Sequence, residues 1–144
     1  MGHIGLTPQS VNQFGGYKVQ GKNYLDSRQI KQDACDLQNA GVFALVLEGI
    51  PSELAEEITT KVKIPTIGIG AGSKCDGQIL VLHDLLGLNQ DFVPKFVKQY
   101  AQLADSLKNA VTEYIEEVRT ETFPGQEHTY QSKQGKLKQV NDGN

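Results

Sequence analysis

One carboxylate is distinguished by its position at the end of an apolar run. In the stretch FALVLEGIP, residues 43–51, five apolar residues precede Glu48, and Gly49 and Pro51 then break the segment. Such a run is typical of a buried strand, in which a charged side chain is costly to hide. Burial raises the pKa of a carboxyl group, which suits a general base that works near neutral pH. Glu48 is therefore the leading catalytic candidate; the alternative is a structural carboxylate that caps a helix or pairs with an arginine.

Two glycine-rich stretches are candidates for ligand binding. The stretch GIGAGS, residues 68–73, follows a predicted strand, and its glycines would let the backbone approach an anion or a ring. It lacks the third glycine of GxGxxG, so a tight turn is the alternative. The stretch FGGYKVQG, residues 14–21, places Lys18 in a loop too long for a simple connector. Lys18 could meet a substrate carboxylate, or it could be a solvated loop lysine.

The remaining candidates are histidines and one further acid. His83 and Asp84 follow a predicted strand and could ligate a metal ion. A metal site needs three or more convergent ligands, however, and this pair supplies at most two. His3 and His128 are isolated in the sequence, and we predict that each is structural or faces solvent.

Strands and helices alternate along the chain, and they determine where these side chains lie. The apolar pattern predicts strands over residues 2–6, 43–47, 64–69 and 78–82, and helices over about 26–40, 52–62 and 92–118. The strands are continuous apolar runs, which favours a parallel sheet covered by helices. Functional residues of such folds lie at the carboxyl ends of the strands, where Glu48, residues 68–73 and His83–Asp84 are all predicted to fall.

Local signals mark the helix ends and the limits of the domain. Asp26 or Ser27 is predicted to cap the first helix and Gly41 to end it, while Pro51 suits the first turn of the second. The apolar stripe on residues 92–118 indicates packing against a core or a partner. We predict one domain over residues 1–130 and a polar, disordered tail over 131–144.

Composition excludes several classes of protein. The 144 residues carry a net charge of −3, without the basic stripe of a nucleic-acid-binding surface. No run approaches the 18 apolar residues of a membrane-spanning helix, and the first residues lack the pattern of a signal peptide. The two cysteines, Cys35 and Cys75, form no CxxC motif, so we predict reduced thiols in a cytoplasmic protein.

Long motifs in order along the chain resemble the ketopantoate hydroxymethyltransferase family. They are MGHIGLTPQSVNQFGGYKVQG, LEGIP with the helix that follows it, IPTIGIGAG, CDGQILVLHDLLG and FPGQEHTY. The resemblance covers residues 1 to about 130 and implies an α/β fold, the carboxyl-terminal half of a (β/α)8 TIM barrel with about strands 5–8. It implies hydroxymethyl transfer from 5,10-methylenetetrahydrofolate to 3-methyl-2-oxobutanoate, giving 2-dehydropantoate in pantothenate and coenzyme A synthesis.

The same resemblance assigns a role to Glu48. The family's general base is the glutamate of its LE-x-x-P segment, which is Glu48 here. A divalent metal, usually Mg²⁺, binds the small 2-oxo acid substrate in the family, and the complete enzymes form homo-oligomers. The family's metal ligands belong to the first four β/α units, so the resemblance assigns no metal ligand to this sequence, and Glu53 and Asp84 are not substitutes.

A (β/α)8 barrel takes roughly 250 residues, and this sequence has 144. Half a barrel leaves open sheet edges and an unfilled inner face. We therefore expect the isolated chain to be inactive unless a complementary amino-terminal half completes it. The alternatives are a non-catalytic remnant or assembly fragment of that enzyme and, less favoured by its motifs, a lyase of the isocitrate-lyase type. No nucleic-acid or membrane partner is expected.

Overall fold

The computed structural model of the chain describes residues 1–7, 18–90 and 92–131. The chain divides into two compact units, Met1–Gln102 and Leu103–Asn144. The first unit contains a sheet with helices, and the second contains the last long helix. The predicted single domain over residues 1–130 stays a prediction.

The described residues of the first unit form a four-stranded parallel sheet with helices, which confirms the predicted α/β class. The strands lie in the order β1-β2-β3-β4, and every neighbouring pair is parallel. Their bounds are β1 Gly2–Gly5, β2 Leu45–Glu48, β3 Thr66–Ile69 and β4 Gly77–Gln78. The helices of this unit are α1 Tyr24–Asn39, α2 Ser52–Lys61 and α3 Leu82–Leu85.

The main core lies between one face of the sheet and the helices α1 and α2. Ile4 pairs in register with Leu47, so their side chains share a face, and Leu45 lies on that face two residues earlier. These strand residues form one buried cluster with residues from both helices and from the loops, namely Ile30, Ala34, Ile50, Leu54, Ala55, Ile58, Val62 and Ala71. The register places His3, Val46, Glu48, Ile67 and Ile69 on the opposite face.

The helix ends follow the predicted signals with one correction. The cap of α1 is Asn23, whose side-chain oxygen accepts the backbone N–H of Asp26 at 2.9 Å, so the prediction of Asp26 or Ser27 was wrong. Asp26 instead lies in the first turn, where a carboxylate interacts well with the helix dipole. Gly41 follows the end of α1 with φ +89°, the left-handed conformation expected of a terminating glycine.

The fourth strand is shorter than predicted. The sequence favours a strand over residues 78–82, but β4 ends at Gln78. The N–H of Ile79 still donates to Gly68 O at 3.0 Å, and the chain then turns into α3. In the described part of the chain no fifth strand pairs with the outer edge of this segment. His83 and Asp84 therefore lie in a helix rather than at the end of a strand.

The long helix predicted over residues 92–118 begins only at Ala104. In the second unit it is α4, Ala104–Arg119. Residues 92–103 do not continue it, because Pro94 starts a turn closed by Val97 and the Tyr100 N–H donates to Leu85 O at 2.8 Å. None of the residues of α4 is buried. The predicted packing of this stripe against a core or a partner stays a prediction.

Some predictions fall on residues outside the described ranges. Residues 14–17 of the predicted glycine-rich loop and residues 132–144 of the predicted disordered tail belong to this group. Among the helices that the structure describes, none has the length and apolar character needed to cross a membrane.

Candidate active site

Glu48 lies at the carboxyl end of β2, as predicted. It is the last residue of the strand, and only 15% of its side chain is exposed. The register pairs it with Gly5 on one side and Ile69 on the other, so strand neighbours flank it on both sides. The carboxylate is thus held at the edge where parallel α/β folds place their functional groups.

His3 is the partner of this carboxylate, a contact that the sequence did not reveal. The Nε2 atom of His3 lies 2.9 Å from Oε2 of Glu48, within range of a hydrogen bond and an ion pair. His3 pairs in register with Val46, two residues before Glu48, so both side chains project from one face of adjacent strands. Because 45 residues separate the pair in sequence, only the pairing of β1 with β2 brings them together.

Glycines shape the backbone on both sides of Glu48. Gly5 has φ +91°, and a Cβ added there would collide with the carbonyl oxygen of Glu48. Gly49 has φ +58°, and its N–H donates to Ile69 O at 2.9 Å. The ends of the first three strands are therefore close together, and a side chain at Gly5 would force them apart.

The predicted glycine-rich turn lies beside this carboxylate. Gly70 and Gly72 both have positive φ, and an added Cβ at Gly72 would lie 2.6 Å from Cβ of Ser52. An added Cβ at Gly70 would lie 2.8 Å from the ring of Phe96. The turn thus packs tightly against α2 and against the segment that follows α3, which supports the turn interpretation.

The loop that carries Lys18 returns to the same edge of the sheet. The N–H of Gln20 donates to Gly49 O at 2.9 Å, and the side chain of Gln20 donates to Lys18 O at 2.8 Å. Lys18 is exposed. The structure therefore places this lysine two residues from a contact with the end of β2, although it leaves its role as a prediction.

The other predicted candidates contact partners other than Glu48. Asp84 accepts a hydrogen bond from the Asn89 side chain at 2.7 Å, within the turn around α3. His128 belongs to the second unit, where its ring lies 5.2 Å from the ring of Phe123. Among the described residues, no group of three or more His, Cys, Asp or Glu side chains could hold a metal ion. This part of the chain therefore offers no set of ligands for the magnesium ion, whose ligands the resemblance assigns to the first four β/α units.

The opposite, amino-terminal edge of the sheet also carries a polar cluster. Thr66, with no exposed surface, donates from its N–H at 2.8 Å and its hydroxyl at 3.0 Å to Oδ2 of Asp76. Its hydroxyl also lies 2.9 Å from that of Thr59. The backbone and side-chain hydrogen bonds from Thr66 lower the pKa of Asp76. Burial raises the pKa of the neighbouring Cys75 thiol.

A surface depression of about 630 Å³ shares no lining residue with either cluster. It is lined by Lys31, Glu53, Glu56, Glu57, Thr60 and Lys61. Lys31 and Glu57 form an ion pair at 2.7 Å across this depression, which joins α1 to α2. These are side chains on the outer helix surfaces, so we place no catalytic function there.

The fold and the Glu48–His3 pair define an α/β protein with a carboxylate at the carboxyl edge of a parallel sheet. A family model described as ketopantoate hydroxymethyltransferase matches residues 1–126. The chain belongs to this family, as the sequence motifs predicted.

Curated relatives carry the name 3-methyl-2-oxobutanoate hydroxymethyltransferase. The relative from Clostridium beijerinckii is 55% identical over 140 residues, which are 97% of this chain and 51% of the relative. The relative from Clostridioides difficile is 53% identical with the same coverage, and that from Pelobacter propionicus is 57% identical over 90% of this chain and 48% of the relative. The chain thus spans about half the length of these relatives, consistent with part of a (β/α)8 barrel.

Proposed function

We propose that this chain supplies the general base of a hydroxymethyl transfer to 3-methyl-2-oxobutanoate, and that Glu48 is that base. The observation that carries the proposal is the Glu48 carboxylate, mostly buried at the carboxyl edge and held by His3 at 2.9 Å. The names of the relatives support the reaction class. A carboxylate in this position is suited to removing a proton from a bound substrate.

The proposed reaction divides into a proton transfer and a carbon–carbon bond formation. Glu48 removes the proton from C3 of the 2-oxo acid, and the electron pair of that C–H bond becomes the enolate. The enolate carbon then forms a bond to the one-carbon unit of 5,10-methylenetetrahydrofolate, the co-substrate implied by the family. Both carbon–nitrogen bonds of the methylene bridge break, and water supplies the oxygen of the new hydroxymethyl group. The two nitrogens released on tetrahydrofolate take up one proton from Glu48 and one from water. Because the described residues do not form a magnesium site, we assign no step to the metal.

In this proposal His3 orients the base. With its proton assigned to Nε2, His3 donates to Oε2 of Glu48 and fixes the carboxylate, which leaves Oε1 as the oxygen we assign to proton removal. A base held in one orientation needs no reorganisation at the moment of reaction. His3 is thus a positioning residue, and Glu48 is the catalytic residue.

Activity in this proposal requires β/α units beyond those of the chain. The face that carries His3 and Glu48 has no second layer of sheet in the described residues, and β1 and β4 are the outer strands. Parallel sheets are normally covered on both faces, and a barrel leaves no open edge. A complementary half of the family's fold, in the same or another polypeptide, is the partner that would close it.

A non-catalytic role in assembly is the second candidate. It is favoured by α4, whose apolar side chains recur at helical spacing and are exposed, namely Leu107, Val111, Tyr114 and Val118. Such a stripe is suited to packing against another helix, as in the homo-oligomers expected of the family.

A cytoplasmic location is also part of the proposal. Cys35 and Cys75 are both free thiols, which fits a reducing compartment.

The test is reconstitution with the remaining half. The chain is co-expressed with the part of the Clostridium beijerinckii relative that the match does not cover. Turnover is then measured with the 2-oxo acid, 5,10-methylenetetrahydrofolate and Mg²⁺. We expect turnover by this reconstituted pair, little by the chain alone, and loss of turnover in the pair with Glu48→Gln. Turnover that is independent of Glu48 would refute the assignment, and a stable but inactive pair would favour the assembly role.

A further inference from the structure

Residues 92–100 return from α3 to the edge of the sheet that carries Glu48. This segment, FVPKFVKQY, is described from Phe92 onward. The ring of Phe96 contacts Gly70 so closely that an added Cβ at Gly70 would lie 2.8 Å from two ring carbons. Gly70 has φ +64° and directly follows β3. The ring therefore lies against bare backbone at the carboxyl end of that strand.

This contact is close to the proposed base. Ile69, the residue before Gly70, is the register partner of Glu48. Neighbouring strands lie about 5 Å apart, and one residue along a strand adds about 3.3 Å. The backbone on which Phe96 packs is thus within about 10 Å of the backbone of Glu48.

The segment is held in place at several points. The Val97 N–H donates to Pro94 O at 2.9 Å, and the Tyr100 N–H donates to Leu85 O at 2.8 Å. Just after this segment, the chain packs against Gly87, because an added Cβ at Gly87 would collide with the carbonyl oxygen of Ala101. A loop fixed in this way can present a side chain without a large ordering cost on binding.

The exposed chemistry of the segment combines a ring with positive charge. Phe96 packs on Gly70 yet the residue remains 41% exposed, so it is accessible to a ligand. Lys95 and Lys98 flank it, and the segment contains no acid in a chain of net charge −3. The Nζ atom of Lys98 lies 4.7 Å from the centre of the Tyr100 ring. A segment that carries an exposed phenylalanine and two lysines suits a ligand with an aromatic ring and a carboxylate.

We propose that Phe96 positions the co-substrate by stacking against its aromatic ring, while Lys95 and Lys98 attract its carboxylate. This inference rests on the proposed function, since it assigns the segment to the carrier of the one-carbon unit. The 2-oxo acid has no ring to stack and is acted on at Glu48. The carrier, an aromatic and anionic molecule, matches the chemistry of the segment.

The test measures binding to the 144-residue chain itself and needs no turnover. Equilibrium dialysis with 5-formyltetrahydrofolate, a stable folate probe, gives the Kd of the wild-type chain and of its variants. We expect Phe96→Leu, which keeps an apolar contact with Gly70, to raise the Kd about tenfold through loss of stacking. Phe96→Tyr should restore binding. The matched control is Phe92→Leu, an exposed ring in the same segment, which should stay within about twofold of the wild type.

Unfolding curves separate a binding effect from damage to the fold. Phe96→Leu should shift the Kd without shifting the unfolding midpoint. The double variant Lys95→Gln/Lys98→Gln should weaken binding at low salt and flatten its salt dependence, because exposed charges are screened. No binding by the wild-type chain, equal effects of Phe92→Leu and Phe96→Leu, or no rescue by tyrosine would overturn the inference.

The outcome of this binding test can be distinguished from the outcome of the reconstitution test. Glu48→Gln should leave the Kd of the probe unchanged while it abolishes turnover in the reconstituted pair. Probe binding that depends on Phe96, together with turnover independent of Glu48, would retain the binding site and reject the base. The reverse pattern would retain the base and reject the role of Phe96.

Discussion

The two edges of the sheet use their polar side chains differently. At the carboxyl edge, Glu48 and His3 meet in a single 2.9 Å contact, and both keep some exposure. At the amino edge, buried Thr66 bonds to Asp76 and to Thr59, which ties the starts of β3 and β4 to α2. Barrel proteins place catalysis at the carboxyl ends of strands and stability at the other end. The difference between the edges predicts which substitutions impair turnover and which impair folding.

The largest expected effect is on turnover at the carboxyl edge. Glu48→Gln keeps the shape of the side chain but removes the base, so kcat of the reconstituted pair should fall by about 10³-fold. The unfolding midpoint of the chain should change little, since the glutamine can still accept a hydrogen bond from His3. Steady-state kinetics and denaturant unfolding of the same variant check both statements. A midpoint that falls sharply would make Glu48 a structural residue.

The next effect is on stability at the amino edge. Thr66→Val keeps the volume of the side chain but leaves Thr59 and Asp76 without the hydroxyl they contact. We expect a loss of about 1–3 kcal/mol in the free energy of unfolding, with kcat of the reconstituted pair unchanged. Urea titration measures the loss, and Thr60→Val, at an exposed position on α2, serves as the matched control. Equal losses for the two variants would mean that the hydroxyl of buried Thr66 stabilises the fold no more than that of exposed Thr60.

A smaller effect on turnover is expected from His3. Because this residue orients the base and takes no proton in the proposal, His3→Ala should lower kcat about tenfold, well short of Glu48→Gln. His3→Gln, which can still donate a hydrogen bond, should recover part of the loss. The double variant with Glu48→Gln should be no slower than Glu48→Gln alone. If the losses in kcat of the two single variants add in the double variant, His3 acts independently of the carboxylate.

The smallest effect is a pH dependence at the amino edge. A carboxyl group whose pKa is lowered by folding stabilises the protein above its unfolded pKa, about 3.9 for aspartate. That contribution is lost as the pH falls through the lower, folded pKa. The difference in the free energy of unfolding between the wild type and Asp76→Asn should therefore have its full size at pH 6 and become smaller below about pH 4.

Unfolding curves at both pH values test this linkage. Asp33→Asn, at a partly exposed position on α1, controls for general changes in charge. A difference that stays constant with pH would show that the hydrogen bonds from Thr66 do not couple to the ionisation of Asp76.

Much of the fold could be predicted from local patterns. The first three strands and the helices α1 and α2 follow from apolar runs and periodic apolar residues, and their ends shift by only a few residues. The predictions failed where a distant contact decides the outcome. Residues 79–82 have the composition of a strand but lack a neighbouring strand in the described chain, and residues 92–103 have helical spacing but bond to Leu85 and pack on Gly70.

The sequence by itself determined the family, the parallel α/β class and the position of Glu48 at a strand end. These features are encoded locally, in motifs, in runs of apolar residues and in the glycines that follow them. Only the tertiary structure brought His3 to Glu48 and Phe96 to Gly70, because both contacts depend on the register of strands or the path of a loop. An isolated histidine and an exposed phenylalanine carry no local mark of their partners, so their proposed roles could be inferred only after the chain was folded.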